Sequence, residues 1–239
     1  MRFTPADAAE FLGETEDAVR RQAAAEFRGI DMATAEPAPA VLLRLACRKA
    51  ASSLPPETGP LPRLSDALAR GGIDFRATAG ERRALLRGFA DAFPSGDGPE
   101  TATLLRGLLD WDETGCVAVG GGASVPHPSR PVISPAARPA VRPIFLAEPL
   151  DAAGPDGRPI DTLFLVVGPG RRVWLELLGQ LAGALHDDGL FRARLLGRVP
   201  ATRLSGCVRR AERSDAPGEA AIPARCGDPP AALRDSSPR

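Results

Sequence analysis

The chain has 239 residues, 44% of them hydrophobic, and its 30 lysines and arginines are balanced by 30 aspartates and glutamates. This length and composition fit a globular protein with one main domain and a smaller appendage. The balance of charge excludes an overall attraction to nucleic acid or to an anionic membrane, so any such binding has to be local. The four cysteines are far apart in the sequence, which excludes zinc and redox motifs of short spacing and predicts reduced thiols, no metal site and no cofactor.

Targeting features are weak in this sequence. The N-terminus lacks the basic, apolar and small-residue regions of a secretory signal. The strongest apolar run, residues 162–167, is too short to span a bilayer. We therefore expect a cytoplasmic protein with no membrane partner.

Residues 1–50 carry the signals of a small all-α, helix-turn-helix-like segment. Thr4 can cap a first helix that ends at Gly13, and Thr15 can cap a second helix. A third amphipathic stretch follows at residues 40–51.

Two arginines in this segment suggest the hypothesis that it binds DNA. Arg20 and Arg21 fall on the second helix, which is the helix that enters the major groove in helix-turn-helix proteins. Residues 1–60 hold seven basic and nine acidic side chains, a net charge of −2, whereas phosphate-binding modules usually have the opposite balance. A plain helical hairpin is an equally good interpretation of the same residues.

The proline-rich stretch 51–62 is the predicted linker, and residues 63–205 are the predicted main domain. Helical and β-type runs alternate in this domain, which predicts an α/β layer structure. The run at 162–167 is apolar on both faces, as in a central buried strand. Residues 213–239 are rich in proline, glycine and serine and are predicted to be disordered.

The segment GGGASVPHPSRP, residues 120–131, is the most informative part of the sequence. Its three glycines, Gly120, Gly121 and Gly122, allow a close approach of backbones, and Pro126 rigidifies the chain just before His127. A histidine presented in this way is a competent nucleophile toward a phosphoryl group.

At this segment the chain resembles the fructose/mannitol-type enzyme IIA domains of the bacterial phosphotransferase system. The resemblance continues through RPIFLAEPLDAAGPDGRPIDTLFLVVGP and LELLGQLAGALHDDGLFRARLL and covers roughly residues 62–200. It implies a mixed-sheet domain flanked by helices, with His127 phosphorylated by the histidine phosphocarrier protein. The N-terminal helices resemble the excisionase-like helix-turn-helix that some bacterial proteins fuse to such a domain.

Two departures from the family pattern concern the residues that support the phosphoryl group. By this resemblance, Trp111 replaces an arginine and Trp174 replaces a second active-site histidine. Arg130 and the backbone N–H groups of the glycines can replace part of the lost positive charge. The loss of such donors slows transfer severely, so a slow regulatory phosphohistidine switch is the leading hypothesis.

The alternatives are a degenerate binding module, in which Trp111 and Trp174 enclose an apolar partner group, and a DNA-binding regulator without phosphotransfer. Partners other than the phosphocarrier protein are then DNA or a regulated protein. His186 is expected to satisfy a helix end, and Asp156 and Asp161 are expected to be solvated turn residues rather than metal ligands.

Overall fold

The computed structural model describes residues 3–26, 37–56, 61–77, 84, 87, 102, 106, 117–129, 131–134, 138–187 and 201–214. The helices named below are α1 (Pro5–Leu12), α2 (Glu16–Glu26), α3 (Pro39–Ser53), α4 (Leu64–Gly71), α5 (Arg171–Asp187) and α6 (Ala201–Ser214). The strands are β1 (Asp74–Ala77), β2 (Val117–Gly120), β3 (Ala123–Val125), β4 (Ala140–Ala153) and β5 (Pro159–Val167).

Local capping signals determine where α1 and α2 begin. The Thr4 hydroxyl accepts the Asp7 N–H at 3.2 Å, and the Asp7 carboxylate accepts the Thr4 N–H at 2.8 Å, which completes a capping box. Gly13 ends α1 in the left-handed region with φ of 66°. The Thr15 hydroxyl accepts the Ala18 N–H at the start of α2. The predicted caps of both helices are confirmed.

The strands form one mixed sheet with the order β1-β4-β5-β3-β2 in the described part of the chain. The pairs β1–β4 and β3–β5 are parallel, and the pairs β4–β5 and β2–β3 are antiparallel. β5 lies in the middle and is buried from Thr162 to Val167, so side chains on both faces of the sheet are excluded from water. The predictions of an α/β fold and of this central strand are confirmed.

Three helices lie side by side across the sheet. α4 contacts β4, α5 contacts β5 and α3 contacts β2, while α5 also contacts both α3 and α4. Because the two sides of a sheet are separated by its full thickness, these mutual contacts place all three helices on the same face.

The predicted linker 51–62 does not separate two hydrophobic cores. α3, which precedes it, packs on α5, which follows it. A single cluster of buried apolar residues extends from Phe3 to Val208. The α1–α2 pair is therefore packed onto the α/β layers through α3.

The start of α4 is capped by a side chain from a distant helix. The helix begins at Leu64, and no side chain caps it from the preceding residue. Instead the carboxylate of Glu212 on α6 accepts the Ser65 N–H at 3.1 Å and the Ser65 hydroxyl at 2.6 Å. A cap from a distant helix leaves no local sequence signal. α6 extends to Ser214, and of the predicted disordered tail, residues 215–239 lie outside the described residues.

Candidate functional site

His127 lies in a loop that interrupts a parallel pairing with β5. β3 pairs with β5 at Ser124 and Leu163, and pairing resumes where Ile133 bridges Gly168. Nine positions separate Ser124 from Ile133, but only five separate Leu163 from Gly168. The four extra residues leave the sheet as a loop at the carboxyl end of β3, which is where α/β proteins commonly place their functional groups.

Two prolines hold the histidine in this loop. Pro126 and Pro128 are both buried, whereas His127 between them is half-buried. Proline fixes its own φ and restricts the residue before it to extended conformations, so the backbone on both sides of His127 has little freedom. The imidazole is thus presented by a rigid segment, as the sequence predicted.

Ser129 engages one nitrogen of the imidazole. Its hydroxyl Oγ lies 2.7 Å from Nδ1 of His127, and its backbone N–H donates to the same nitrogen at 3.3 Å. The N–H contact requires an unprotonated Nδ1, whereas the hydroxyl can either donate or accept. The loop therefore orients the imidazole through a residue two positions further on, which sequence reasoning did not identify.

An aromatic ring from the N-terminus contacts the other surface of the site. The ring of Phe3 meets the His127 imidazole edge to face, with centroids 5.6 Å apart and an interplanar angle of 72°. Phe3 is only 1% exposed. Phe3 and His127 are more than a hundred residues apart, so no local sequence pattern predicts their contact. From the sequence, an apolar residue just before the Thr4 cap predicts only packing against its own helix.

The glycines form a tight turn at the opposite end of β3. Gly120, Gly121 and Gly122 have φ of 94°, 65° and 76°, which only glycine adopts readily, and they reverse the chain between β2 and β3. His127 follows Gly122 by five residues, or ~16 Å along an extended chain. The structure therefore does not bring the glycine turn to the histidine.

Asp156 already binds the turn. Its Oδ2 accepts the Gly121 N–H at 2.7 Å. Burial alone would raise the pKa of Asp156, but hydrogen bonds from the N–H groups of Gly121 and Arg158 hold that pKa below its ordinary value. The Gly122 carbonyl accepts the N–H groups of Asp161 and Thr162 at 3.0 and 3.1 Å. Asp156 is an exposed turn residue, as expected, and its carboxylate also occupies the Gly121 amide that was expected to face a phosphoryl group.

Trp174 lies in the core, which corrects its assignment to a binding cleft. Its side chain is 0% exposed, and its Nε1–H donates to the Val166 carbonyl at 2.9 Å. A Cβ added at Gly168 would come within 3.1 Å of the Trp174 nitrogen, so the helix and the preceding loop are tightly packed there. No surface of this tryptophan remains for a ligand.

Other predicted site residues lie elsewhere or outside the described residues. Trp111 and Arg130 are outside them. His186 is half-buried near the end of α5. Among the residues that the structure describes, no three His, Cys, Asp or Glu side chains are grouped so as to hold a metal ion.

The arginines proposed for DNA binding lie on α2. The guanidinium of Arg20 donates to the Glu16 carboxylate through Nε at 3.1 Å and Nη2 at 2.6 Å. Arg21 is exposed. One of the two positive charges is therefore paired within its own helix.

No protein-family model matches this chain, and no curated protein matches it either. Within the described part of the chain, no helix combines the length and the apolar character needed to cross a membrane.

Proposed function

We propose that this chain is a regulatory phosphohistidine protein of the phosphoenolpyruvate-dependent sugar phosphotransferase system, with an enzyme IIA-like domain. In this proposal His127 accepts a phosphoryl group from the histidine phosphocarrier protein. The observation that carries it is the rigid loop between Pro126 and Pro128, in which Nδ1 of the imidazole is engaged by Ser129. Such a loop presents a histidine nitrogen to a second protein with little loss of conformational entropy on encounter.

Nε2 is the proposed nucleophile. A neutral imidazole attacks through the nitrogen that lacks a proton, so the proton has to reside on Nδ1 when Nε2 attacks. The Ser129 hydroxyl, 2.7 Å from Nδ1, can accept that proton in a hydrogen bond. The N–H contact at 3.3 Å is lost in that tautomer, because a protonated Nδ1 cannot accept it. The hydroxyl is thus the group that poises Nε2 for attack.

Transfer of the phosphoryl group from the carrier to His127 needs no further reactant. The P–N bond of the carrier's phosphohistidine breaks while a P–Nε2 bond forms, and the electron pair of the broken bond returns to the carrier's imidazole. Cationic donors lower the barrier by neutralising the equatorial oxygens. Arg130, three residues after His127, is the cation proposed for that role. The glycine turn does not contribute, because it lies at the other end of β3 and the Gly121 N–H is already bound to Asp156.

Labelling tests this proposal. Incubation with phosphoenolpyruvate, enzyme I and the phosphocarrier protein is expected to give an acid-labile phosphate that is lost in His127→Ala. The matched control is His186→Ala, which removes the second of the two histidines in the chain and is expected to keep the label. Wild-type protein that stays unlabelled, or a label that survives in His127→Ala, contradicts the proposal.

One observation favours a second candidate, a non-catalytic binding module. The carboxylate of Asp156 fills the turn that an anion-binding loop would leave open. Under this candidate, a partner captured from the native host binds wild-type protein and His127→Ala equally well, and neither is phosphorylated. Trp174→Ala does not test it, because that side chain belongs to the core.

A further inference from the structure

Phe3 joins the candidate site to the N-terminal helices. Its ring contacts the His127 imidazole, and the next residue, Thr4, caps α1. It is among the largest fully buried side chains of the protein. The other buried apolar residues that the structure places on α1 and α2 are small, among them Ala8, Val19 and Ala23, and the larger Phe11 and Leu12 are only partly buried. Phe3 is therefore the largest fully buried apolar side chain at this helix pair.

The polar attachment of the pair is limited. The Lys49 ammonium on α3 donates to the Glu14 carboxylate and, at 2.7 Å, to the Gln22 side-chain oxygen. The Glu14 and Lys49 side chains are both partly exposed, so water weakens their attraction. A change at Phe3 thus acts on a buried point of attachment that water does not weaken.

A phosphoryl group on His127 changes the environment of Phe3. The group adds a charge of about −1.5 to −2 and three strong acceptor oxygens. A phenylalanine ring offers no N–H or O–H donor, so its contact with the imidazole limits the hydration of that charge. Docking of the ring is therefore less favourable beside the modified histidine than beside the neutral one.

We propose that Phe3 couples His127 to the α1–α2 pair: the docked pair slows modification of His127, and phosphorylation of His127 releases Phe3 and loosens α1 and α2. The regulatory role of this coupling rests on the function proposed above. Coupling of this kind is reciprocal, because any state that disfavours Phe3 docking favours the modified histidine to the same extent.

The first experiment measures the reactivity of His127 without the phosphotransfer proteins. In a His186→Gln background, diethylpyrocarbonate reports on His127 alone. Phe3→Ala is expected to raise the rate of modification by about three- to tenfold, the value of one aromatic ring contact. Phe11→Ala is the matched control, because Phe11 packs against the core from α1 and is not the ring on His127. Equal rates in the two variants, or no increase in Phe3→Ala, would overturn the proposal.

The second experiment keeps Phe3 and the N-terminal helices unchanged, so it does not depend on how a Phe3 variant folds. Hydrogen exchange of residues 5–26 is compared before and after modification of His127, by the phosphotransfer cascade in the wild-type chain and by diethylpyrocarbonate in the His186→Gln background. Faster exchange in this segment, with unchanged exchange in α5, is expected. Exchange that stays the same after complete modification rejects the coupling. Diethylpyrocarbonate adds a neutral ethoxycarbonyl group, which can displace the Phe3 ring only by its bulk. If the cascade gives no label but this group still loosens residues 5–26, the proposed function fails and the contact between Phe3 and His127 still couples the two elements.

Discussion

The two ends of β3 carry consecutive parts of one sequence motif, yet their chemistry differs. At the start of the strand the glycine turn is closed by the Asp156 carboxylate. At its end the His127 loop leaves the sheet, and the half-buried imidazole contacts Ser129 and the Phe3 ring. A negatively charged group is already bound at the first end, whereas the second carries the imidazole that we propose as the nucleophile. Proximity along a strand thus does not make one site, because an extended chain separates its ends.

The largest effect is expected from removing the core beneath the histidine end. Trp174 supports Val166 and Gly168, and Gly168 bridges the residue where the His127 loop returns to the sheet. Trp174→Ala is expected to lower the free energy of unfolding by about 3–5 kcal/mol, because it leaves a large cavity and an unpaired carbonyl. Trp174→Phe, which keeps most of the volume, should lose clearly less in denaturant titrations. An alanine variant as stable as wild type would contradict the core assignment.

The sequence predicts features with local causes better than contacts between distant residues. The caps of α1 and α2 and the apolar run of β5 were predictable because their causes lie within a few residues. The contacts of Ser65 with Glu212 and of Phe3 with His127 were not, since they depend on the tertiary arrangement of distant elements. Trp174 was placed in a cleft by resemblance, although its helical apolar spacing already fitted a core position.

At the histidine end, Ser129 is expected to have a moderate effect on rate. Ser129→Ala removes the hydroxyl acceptor for Nδ1 and should slow phosphorylation of His127 about two- to tenfold, the value of one hydrogen bond. Ser129→Thr keeps a hydroxyl and should restore the rate. Nitrogen NMR provides a readout that a purely structural role would not change: the fraction of the Nδ1–H tautomer should fall in the alanine variant. An unchanged tautomer ratio would show that the backbone N–H alone orients the imidazole.

At the glycine end, Asp156→Asn is expected to reduce stability by about 1 kcal/mol, because a charged acceptor is lost but the side chain is exposed to water. The pKa of Asp156 lies below its ordinary value, so the stabilisation by its carboxylate is present above about pH 4, the value for the unfolded chain. It is lost as the pH falls through the lower pKa of the folded state. Thermal unfolding of both proteins from pH 7 to pH 2 should show their difference shrinking at acidic pH.

Asp156→Asn also tests whether the two ends of β3 act independently. Phosphorylation of His127 in Asp156→Asn is expected to proceed at the wild-type rate at pH 7, since the turn is remote from the imidazole. A rate as low as that of Ser129→Ala would mean that the two ends act together as one site.

The smallest effect is expected on DNA binding. It tests the α1–α2 pair, which Phe3 joins to the His127 loop. Arg20 is paired with Glu16, so α2 offers less positive charge to a duplex than its sequence suggests. We expect binding in the range of about 10⁻⁴–10⁻⁶ M, no tighter than non-specific binding. It should fall steeply with salt and disappear in the double variant Arg20→Ala, Arg21→Ala. Anisotropy titrations at low salt measure it.

The matched control removes two arginines from α6. Arg209→Ala, Arg210→Ala changes the net charge by the same amount, and it should leave most of the DNA affinity in place if α2 is the contact. Each phosphate contact that is lost lowers the slope of log K against log salt by about 0.9, so the single variants Arg20→Ala and Arg21→Ala should each flatten that slope by about one. Equal losses in both double variants would indicate attraction by net charge alone. Absence of binding to any duplex would leave the α1–α2 pair as a helical hairpin whose docking on His127, rather than a nucleic acid, gives it a function.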